Sequence, residues 1–188
     1  MAAPYFFGYG SLVNTATHSF TEPCPARLIG WRRAWRHTDL RDVAFLTAIP
    51  DPDSSIDGLI AHVPGGDWAA LDAREWAYQR IRATESVRHG VEGPVDIAVY
   101  AVPADRQATP SVRHPILLSY HDVVVQGYLR VFGPHGVEAF FASTDGWDAP
   151  ILDDRAAPRY PRHQQLNDAE RDMVDAALAA RAVRMLRP

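Results

Sequence analysis

Tyr5-Phe6-Phe7-Gly8-Tyr9-Gly10-Ser11-Leu12 begins as a strand and ends as a turn. Its aromatic residues suit a pleated, half-buried surface. The two glycines then let the backbone reverse sharply and leave several N–H groups pointing one way, a nest suited to a carboxylate or a developing oxyanion. The stretch is not a dinucleotide fingerprint, because Val13 stands where the third glycine belongs and no helical pattern follows. It is not a nucleophile elbow either, since Ser11 lacks the second flanking glycine. On its own it also fits a plain tight turn.

Outward from this stretch, Ala26 to His37, Ile56 to Val63, Tyr78 to Val87 and Val95 to Val102 read as strands. Pro23, Pro25, Pro50, Pro52 and Pro64-Gly65-Gly66 punctuate them. Asp67 is placed to cap a short helix to about Trp76. Pro115 opens a longer helix to about Phe132, with Ile116, Tyr120, Val123 or Val124 and Tyr128 on one stripe. A short helix from Val137 to Ala142 follows the Gly133-Pro134 break. Residues 145–166 form an irregular segment that Trp147, Ile151, Leu152 and Tyr160 allow to pack. The last helix, over residues 167–186, starts with Asn167 three residues before Glu170, a capping-box variant. Strands with helices gathered towards the end predict an α+β fold in a single domain over residues 1–188, its core at 5–144.

Composition narrows the function. The chain has 188 residues, a net charge of -4 and one cysteine. All nineteen basic residues are arginine, which excludes lysine Schiff bases and a P-loop. Cys24 has no partner for a disulfide and reads as a packed thiol. The acidic balance argues against nucleic acid, and no run is apolar enough to cross a membrane. With no signal peptide evident at Met1 to Phe7, the expectation is a soluble cytoplasmic protein, monomer or homodimer. The eight histidines show no metal-binding spacing, and His114 and His121 stand seven apart, so no metal site is expected. Trp31, Arg33 and Trp35 share one face of a strand, which predicts an ordinary half-buried strand.

The short helix carries the chemistry. Trp68, Leu71, Asp72 and Glu75 fall on one face, so Glu75 projects from an apolar side where helix passes to strand. Two readings fit such a carboxylate. One is a structural ion pair with Arg74, Arg80 or Arg82. The other is a general base whose pKa, about 4.3 in water, is lifted by desolvation. Arg155, Arg159 and Arg162 either pack on the surface or bring a guanidinium over a pocket mouth to meet an anion.

In this order and spacing the residues resemble the γ-glutamyl cyclotransferase-like superfamily. Residues 5–12 look like its opening signature, and Leu71-Asp72-Ala73-Arg74-Glu75 with Tyr78 and Arg80 is similar to its catalytic-helix pattern. Residues 58–63, Ala98-Val99-Tyr100 and Pro110-Ser111 resemble the neighbouring strands and proline-serine pair. The resemblance implies a small mixed β-barrel flanked by helices, with the C-terminal helix packed on it and no cofactor. It makes Glu75 the acid/base and Tyr9, Gly10, Ser11 and Leu12 the substrate-holding loop. His114 stands where relatives carry a substrate-holding tyrosine. The implied reaction releases 5-oxoproline from a small γ-glutamyl compound; the alternative is a non-catalytic member that binds a small ligand or a partner.

Overall fold

The computed structural model describes residues 2–188. In chain order the elements are β1 (Ala3–Gly8), β2 (Thr21–Arg36), β3 (Phe45–His62), α1 (Ala69–Arg74), β4 (Gln79–Arg82), β5 (Val87–His89), β6 (Val95–Ala101), β7 (Ile116–Leu117), α2 (Leu118–Ala142), β8 (Thr144–Asp145), β9 (Ile151–Leu152), α3 (Asp168–Ala179) and β10 (Met185–Leu186). The main sheet runs β4-β6-β1-β3-β2-β5, with β8 also on β2. It is mixed: β1 is parallel to β6 and antiparallel to β3.

Curvature follows from a covalent constraint. β4 and β5 sit at opposite ends of this order, yet only residues 83–86 join them. Laid flat, six strands would hold their outer members about 24 Å apart. The link reaches at most about 17 Å. The sheet therefore curls into a half-barrel, and Tyr5, Phe7, Leu28, Leu46, Ile60, Val99, Val124 and Tyr128 fill it. The result is the expected α+β architecture.

Several boundaries differ from the sequence reading. β2 and β3 run through Pro23, Pro25, Pro50 and Pro52 rather than stopping at them. Pro23 lies in the irregularity between Thr21 and Cys24, and Pro50 faces Trp31 beside the one at Gly30, whose φ is 81°. At such places a ladder N–H is dispensable. The long helix starts at Leu118, because Ile116 and Leu117 pair with β9 first. It then turns at Gly133 (φ 68°) before Pro134, the expected break. The strand expected over 78–87 is divided into β4, a turn at Thr84–Ser86 and the start of β5.

At the C-terminal end, Asn167 and Glu170 form the expected capping box, but α3 stops at Ala179 and β10 joins β9. The segment between is firmly held. Buried Asp154 accepts from the Ser119 N–H, the Ser119 hydroxyl and the Arg159 N–H at 2.8, 2.6 and 2.9 Å. Arg155 clasps Asp122 through two bonds and reaches Asp175 of α3, so it is spent on structure. Val174 and Leu178 complete the attachment of α3 to the core.

His121, on α2, has no hydrogen-bond partner among the described residues at either ring nitrogen and is enclosed by Trp35, Phe140, Phe141 and Trp147. Burial, aided by the charges of Arg155 and Arg181, pushes its pKa down to about 3. A depressed histidine contributes stability above its unfolded pKa, about 6.5, that is lost as pH falls towards the folded value. Between pH 7.5 and 5 that loss is about 2 kcal/mol. Urea unfolding at the two pH values should show His121→Leu losing less stability than the wild type by about this amount. Equal losses would mean the imidazole is not held neutral by burial.

Candidate active site

The turn after β1 is fixed from three sides. The Tyr9 carbonyl accepts from Arg33 Nε at 3.2 Å and from the Tyr128 hydroxyl at 2.9 Å. The Tyr9 hydroxyl donates to the Tyr100 carbonyl at 2.6 Å, tying the turn to β6. Asn14, 1% exposed, donates to the Val123 carbonyl and to Gln126 on α2, both at 3.0 Å. Between these anchors Ser11–Val13 make one tight helical turn.

α1 presents Glu75 to this turn. Leu71 is buried, and the Tyr100 hydroxyl hydrogen-bonds Asp72, pinning the helix against β6. The helix is shorter than the sequence suggests: Trp68 caps it and Glu75 ends it. Asp67 still contributes, accepting from the Ala69 N–H at 3.1 Å. Leu71 and Glu75 point inward as read, whereas Asp72 is half-exposed and pairs with Arg80 at 3.2 Å.

The ion pair expected of Glu75 is formed with Arg74. Arg74 Nε donates to Glu75 Oε1 at 3.1 Å. The same guanidinium donates to Ser11 Oγ and Thr17 Oγ1, each at 3.2 Å, and to the Thr17 carbonyl at 2.9 Å. One arginine thus joins the carboxylate to the glycine turn. Oε2 has no hydrogen-bond donor among the described residues, yet it is not sealed off, and the side chain is 16% exposed. Burial pushes the Glu75 pKa above the ordinary carboxylate value, with Arg74, Arg162 and Arg41 pulling back against it. A carboxylate held by one oxygen, with the other free and its affinity for protons raised, is suited to general base work.

Two hollows share walls here. A small inner one of about 30 Å³ is lined by Tyr9, Gly10, Ser11, Leu12, Glu75, Tyr78, Tyr100 and Tyr120, among others. An outer cavity of about 500 Å³ shares Ser11, Glu75, Tyr78 and Tyr120 with it and adds Arg41, Trp76, Arg159, Tyr160 and Arg162. The structure therefore brings Tyr9, Gly10, Ser11, Leu12 and Glu75 together.

His114 does not join them, which corrects its placement in the site. Ser111 and His114 bridge each other in a tight bend, and the His114 ring stacks on His37 at 3.5 Å, away from both hollows. The tyrosine that reaches the site comes six residues later, from the start of α2. Tyr120 packs edge-on against Tyr160, whose hydroxyl donates to Ser11 Oγ at 3.0 Å. Sequence reasoning placed Tyr120 on the packing stripe of a helix and left Arg41 unmentioned. Tyr78, whose hydroxyl donates to the Leu46 carbonyl at 3.0 Å, was visible only as part of a pattern.

A Cβ added at Gly10 would lie 2.7 Å from the Tyr120 hydroxyl oxygen, closer than van der Waals contact permits. Gly10→Val should therefore displace Tyr120 and close the inner hollow. The expected result is ligand affinity at least ~10-fold weaker with circular dichroism unchanged, since about 1.4 kcal/mol of lost contact suffices. Calorimetric titration against a compound that binds the wild-type site checks it, and unchanged affinity would reduce the turn to a structural element.

Known structures share this fold. No curated protein sequence matches the chain significantly. Among solved structures, YkqA from Bacillus subtilis superposes with a TM-score of 0.59 at 20% identity, over 73% of this chain and 52% of YkqA, so the chain spans about half that protein's length. A structure described as a gamma-glutamyl cyclotransferase gives a TM-score of 0.59 at 14% identity, covering 93% of this chain and 99% of its own. The uncharacterized protein loc79017 from Homo sapiens gives 0.56 at 15% identity, covering 91% and 97%. At such identities these likenesses speak for the fold. The family model described as "Gamma-glutamyl cyclotransferase, AIG2-like" matches residues 6–121, a span running from β1 through the glycine turn and Glu75 to the first turn of α2. With well over half of its length matched, the chain belongs to the AIG2-like γ-glutamyl cyclotransferase family.

Proposed function

We propose that this protein is an enzyme that releases 5-oxoproline from a small γ-glutamyl compound, with Glu75 as general acid/base. The observation that carries the reading is the Glu75 carboxylate at the junction of the two hollows, Oε1 on Arg74 and Oε2 free. The substrate supplies its own nucleophile. Glu75 takes a proton from the α-ammonium, and the freed amine attacks the γ-carbonyl carbon, closing a five-membered ring. The bond from that carbon to the leaving nitrogen then breaks. Of the protons the α-nitrogen gives up, one returns through Glu75 to the departing amine and the second leaves with it as an ammonium, so a lactam N–H remains.

Attack within one molecule gains from positioning, with effective molarities of about 10⁵ M or more when the geometry is right. The inner hollow, at about 30 Å³, holds little more than one water, so the compact γ-glutamyl head would lie mostly in the larger cavity, against the tyrosines and the glycine turn beside Glu75. Developing negative charge on the γ-carbonyl oxygen falls among the donors of the turn and the Ser11 hydroxyl. The steps as drawn require no metal, nucleotide or covalent intermediate.

The test is 5-oxoproline release, followed by chromatography, from glutathione, γ-glutamyl amino acids and γ-glutamylamines. Release from at least one compound supports the activity. Binding across the panel in thermal-shift assays without any release would instead favour a non-catalytic member of the family.

A further inference from the structure

Arg74 is buried, its side chain 7% exposed, and Glu75 is its one carboxylate partner among the described residues. An arginine has five N–H bonds, and four of these are engaged. One meets Glu75 Oε1, one the Thr17 carbonyl, and one each the hydroxyl oxygens of Ser11 and Thr17. Little donor capacity is left for a bound molecule, although the side chain lines the outer cavity. Thr17 completes the link by donating its own hydroxyl to the Ser11 carbonyl at 3.0 Å. Arg74, Ser11 and Thr17 thus form a closed ring of hydrogen bonds, and Glu75 is attached to it by one more.

A helix does not make the contact between Arg74 and Glu75 by default. Adjacent helical side chains point about 100° apart and do not face each other. Glu75 escapes this because it ends α1, with φ -98° and ψ 29°, so its side chain leaves the helical path. The Glu75 N–H, bonded to the Leu71 carbonyl at 2.9 Å, fixes the backbone there but not the carboxylate. Glutamate carries much rotamer freedom, and among the described residues only Arg74 donates to this carboxylate.

We propose that Arg74 is a positioning residue for the reaction, with Thr17 as its support. Arg74 holds Glu75 in one rotamer, leaves Oε2 for the substrate, and locks that rotamer to the glycine turn, so that base and turn keep a fixed separation. This rests on the reading of Glu75 as the acid/base. Thr17 is buried and lines neither hollow, so it acts on the chemistry only through the ring. A plain staple between α1 and the Thr15–Thr17 turn would instead affect stability and leave turnover alone.

The test compares Arg74→Gln, Arg74→Lys and Thr17→Val with the wild type. Turnover to 5-oxoproline is measured above each protein's pH inflection, where Glu75 is ionised. In parallel, the Glu75 carboxyl carbon is titrated by NMR in protein labelled with ¹³C-glutamate, its signal identified by its loss in Glu75→Gln. Arg74→Gln should lower kcat at least ~10-fold, since small misplacements of a reacting group are costly. Its Glu75 should titrate at higher pH, because a favourable charge has gone. A role through charge alone predicts no such loss, a stronger base being at least as effective once ionised. Arg74→Lys keeps the charge, so its titration should stay close to wild type. Its kcat should still fall several-fold, because a point charge cannot serve the carboxylate and the turn together. Thr17→Val keeps the shape and the Arg74–Glu75 bond, and should also turn over several-fold more slowly, the loss falling on kcat rather than KM.

Full turnover in Arg74→Lys or Thr17→Val, or an Arg74→Gln protein that only melts earlier, would overturn the proposal. If Arg74→Gln does not fold, the other two variants decide. The titration separates this proposal from the reading of the site. Release by the wild type, with kcat and titration unmoved in Arg74→Gln, removes the positioning role and keeps the activity. No release from any compound, with the Arg74→Gln titration raised, removes the activity and leaves the hold of Arg74 on Glu75 standing; an unmoved titration removes both.

Discussion

Replacing Glu75 with Gln should lower 5-oxoproline release at least ~10²-fold while leaving the fold and ligand binding in place. Gln keeps the shape and still offers an oxygen to Arg74 Nε, so the link to Ser11 and Thr17 survives. What disappears is the ability to take and return a proton. Wild-type turnover by this variant, on a compound the protein does process, would remove Glu75 from the mechanism.

Two accompanying measurements distinguish a proton-transfer role from a purely structural one. Because desolvation raises the Glu75 pKa, kcat/KM should climb with pH through an inflection above the ordinary carboxylate range. Arg162→Gln should move that inflection higher, since the Arg162 charge favours the ionised form. The second measurement is stability. A carboxyl group whose folded pKa exceeds its unfolded value contributes stability that is complete below about pH 4.3 and is lost as pH rises through the folded value. Glu75→Gln cannot ionise, so at pH 8 it should melt at or above the wild-type temperature. A lower melting temperature there would mean that the charged pair with Arg74 outweighs the cost of burying it.

Arg33→Leu should be the most damaging single change to stability, at about 3–5 kcal/mol. Arg33 is 1% exposed and has no carboxylate partner among the described residues. It donates instead to the carbonyls of Tyr9 and Asp57, to the Tyr128 hydroxyl and to Ser143 Oγ, and lies against the rings of Tyr128 and Phe140. Leucine would leave these acceptors short of a donor and open a space no neighbour fills. The urea midpoint should fall with little change in slope. A loss below about 1 kcal/mol would mean that burying the cation costs nearly as much as its bonds return. Lysine offers no remedy, since a point charge cannot serve acceptors in four directions.

Much of the site is legible in sequence because it depends on short-range spacing. A strand, two glycines and Ser11 fix the turn. Leu71 and Glu75, four apart on one helix, must look the same way whatever surrounds them. Tyr120 was hidden because a helical stripe shows which face is covered, not that one of its members ends over a hollow. Arg33 shows the same limit in a strand: alternation with Trp31 and Trp35 gives a face, but only the folded chain shows the carbonyls that receive a buried cation. His114 misled for a related reason, since distance from Pro110-Ser111 along the chain says nothing of the bend at Ser111 that turns it outward. The prolines of β2 and β3 misled because a strand tolerates proline wherever its partner leaves a gap.

The hydrogen bond between the Tyr160 and Ser11 side chains joins residues 149 apart. The β2–β3 hairpin, by contrast, is assembled from near neighbours and can nucleate early. Entropy delays contacts that close large loops. β1 must also wait for β6, which pairs Ala3 with Val95 across most of the first half of the chain. The outer wall of the cavity thus depends on some of the longest loop closures in the fold, and the glycine turn gains its Tyr160 partner only when the two ends of the chain meet.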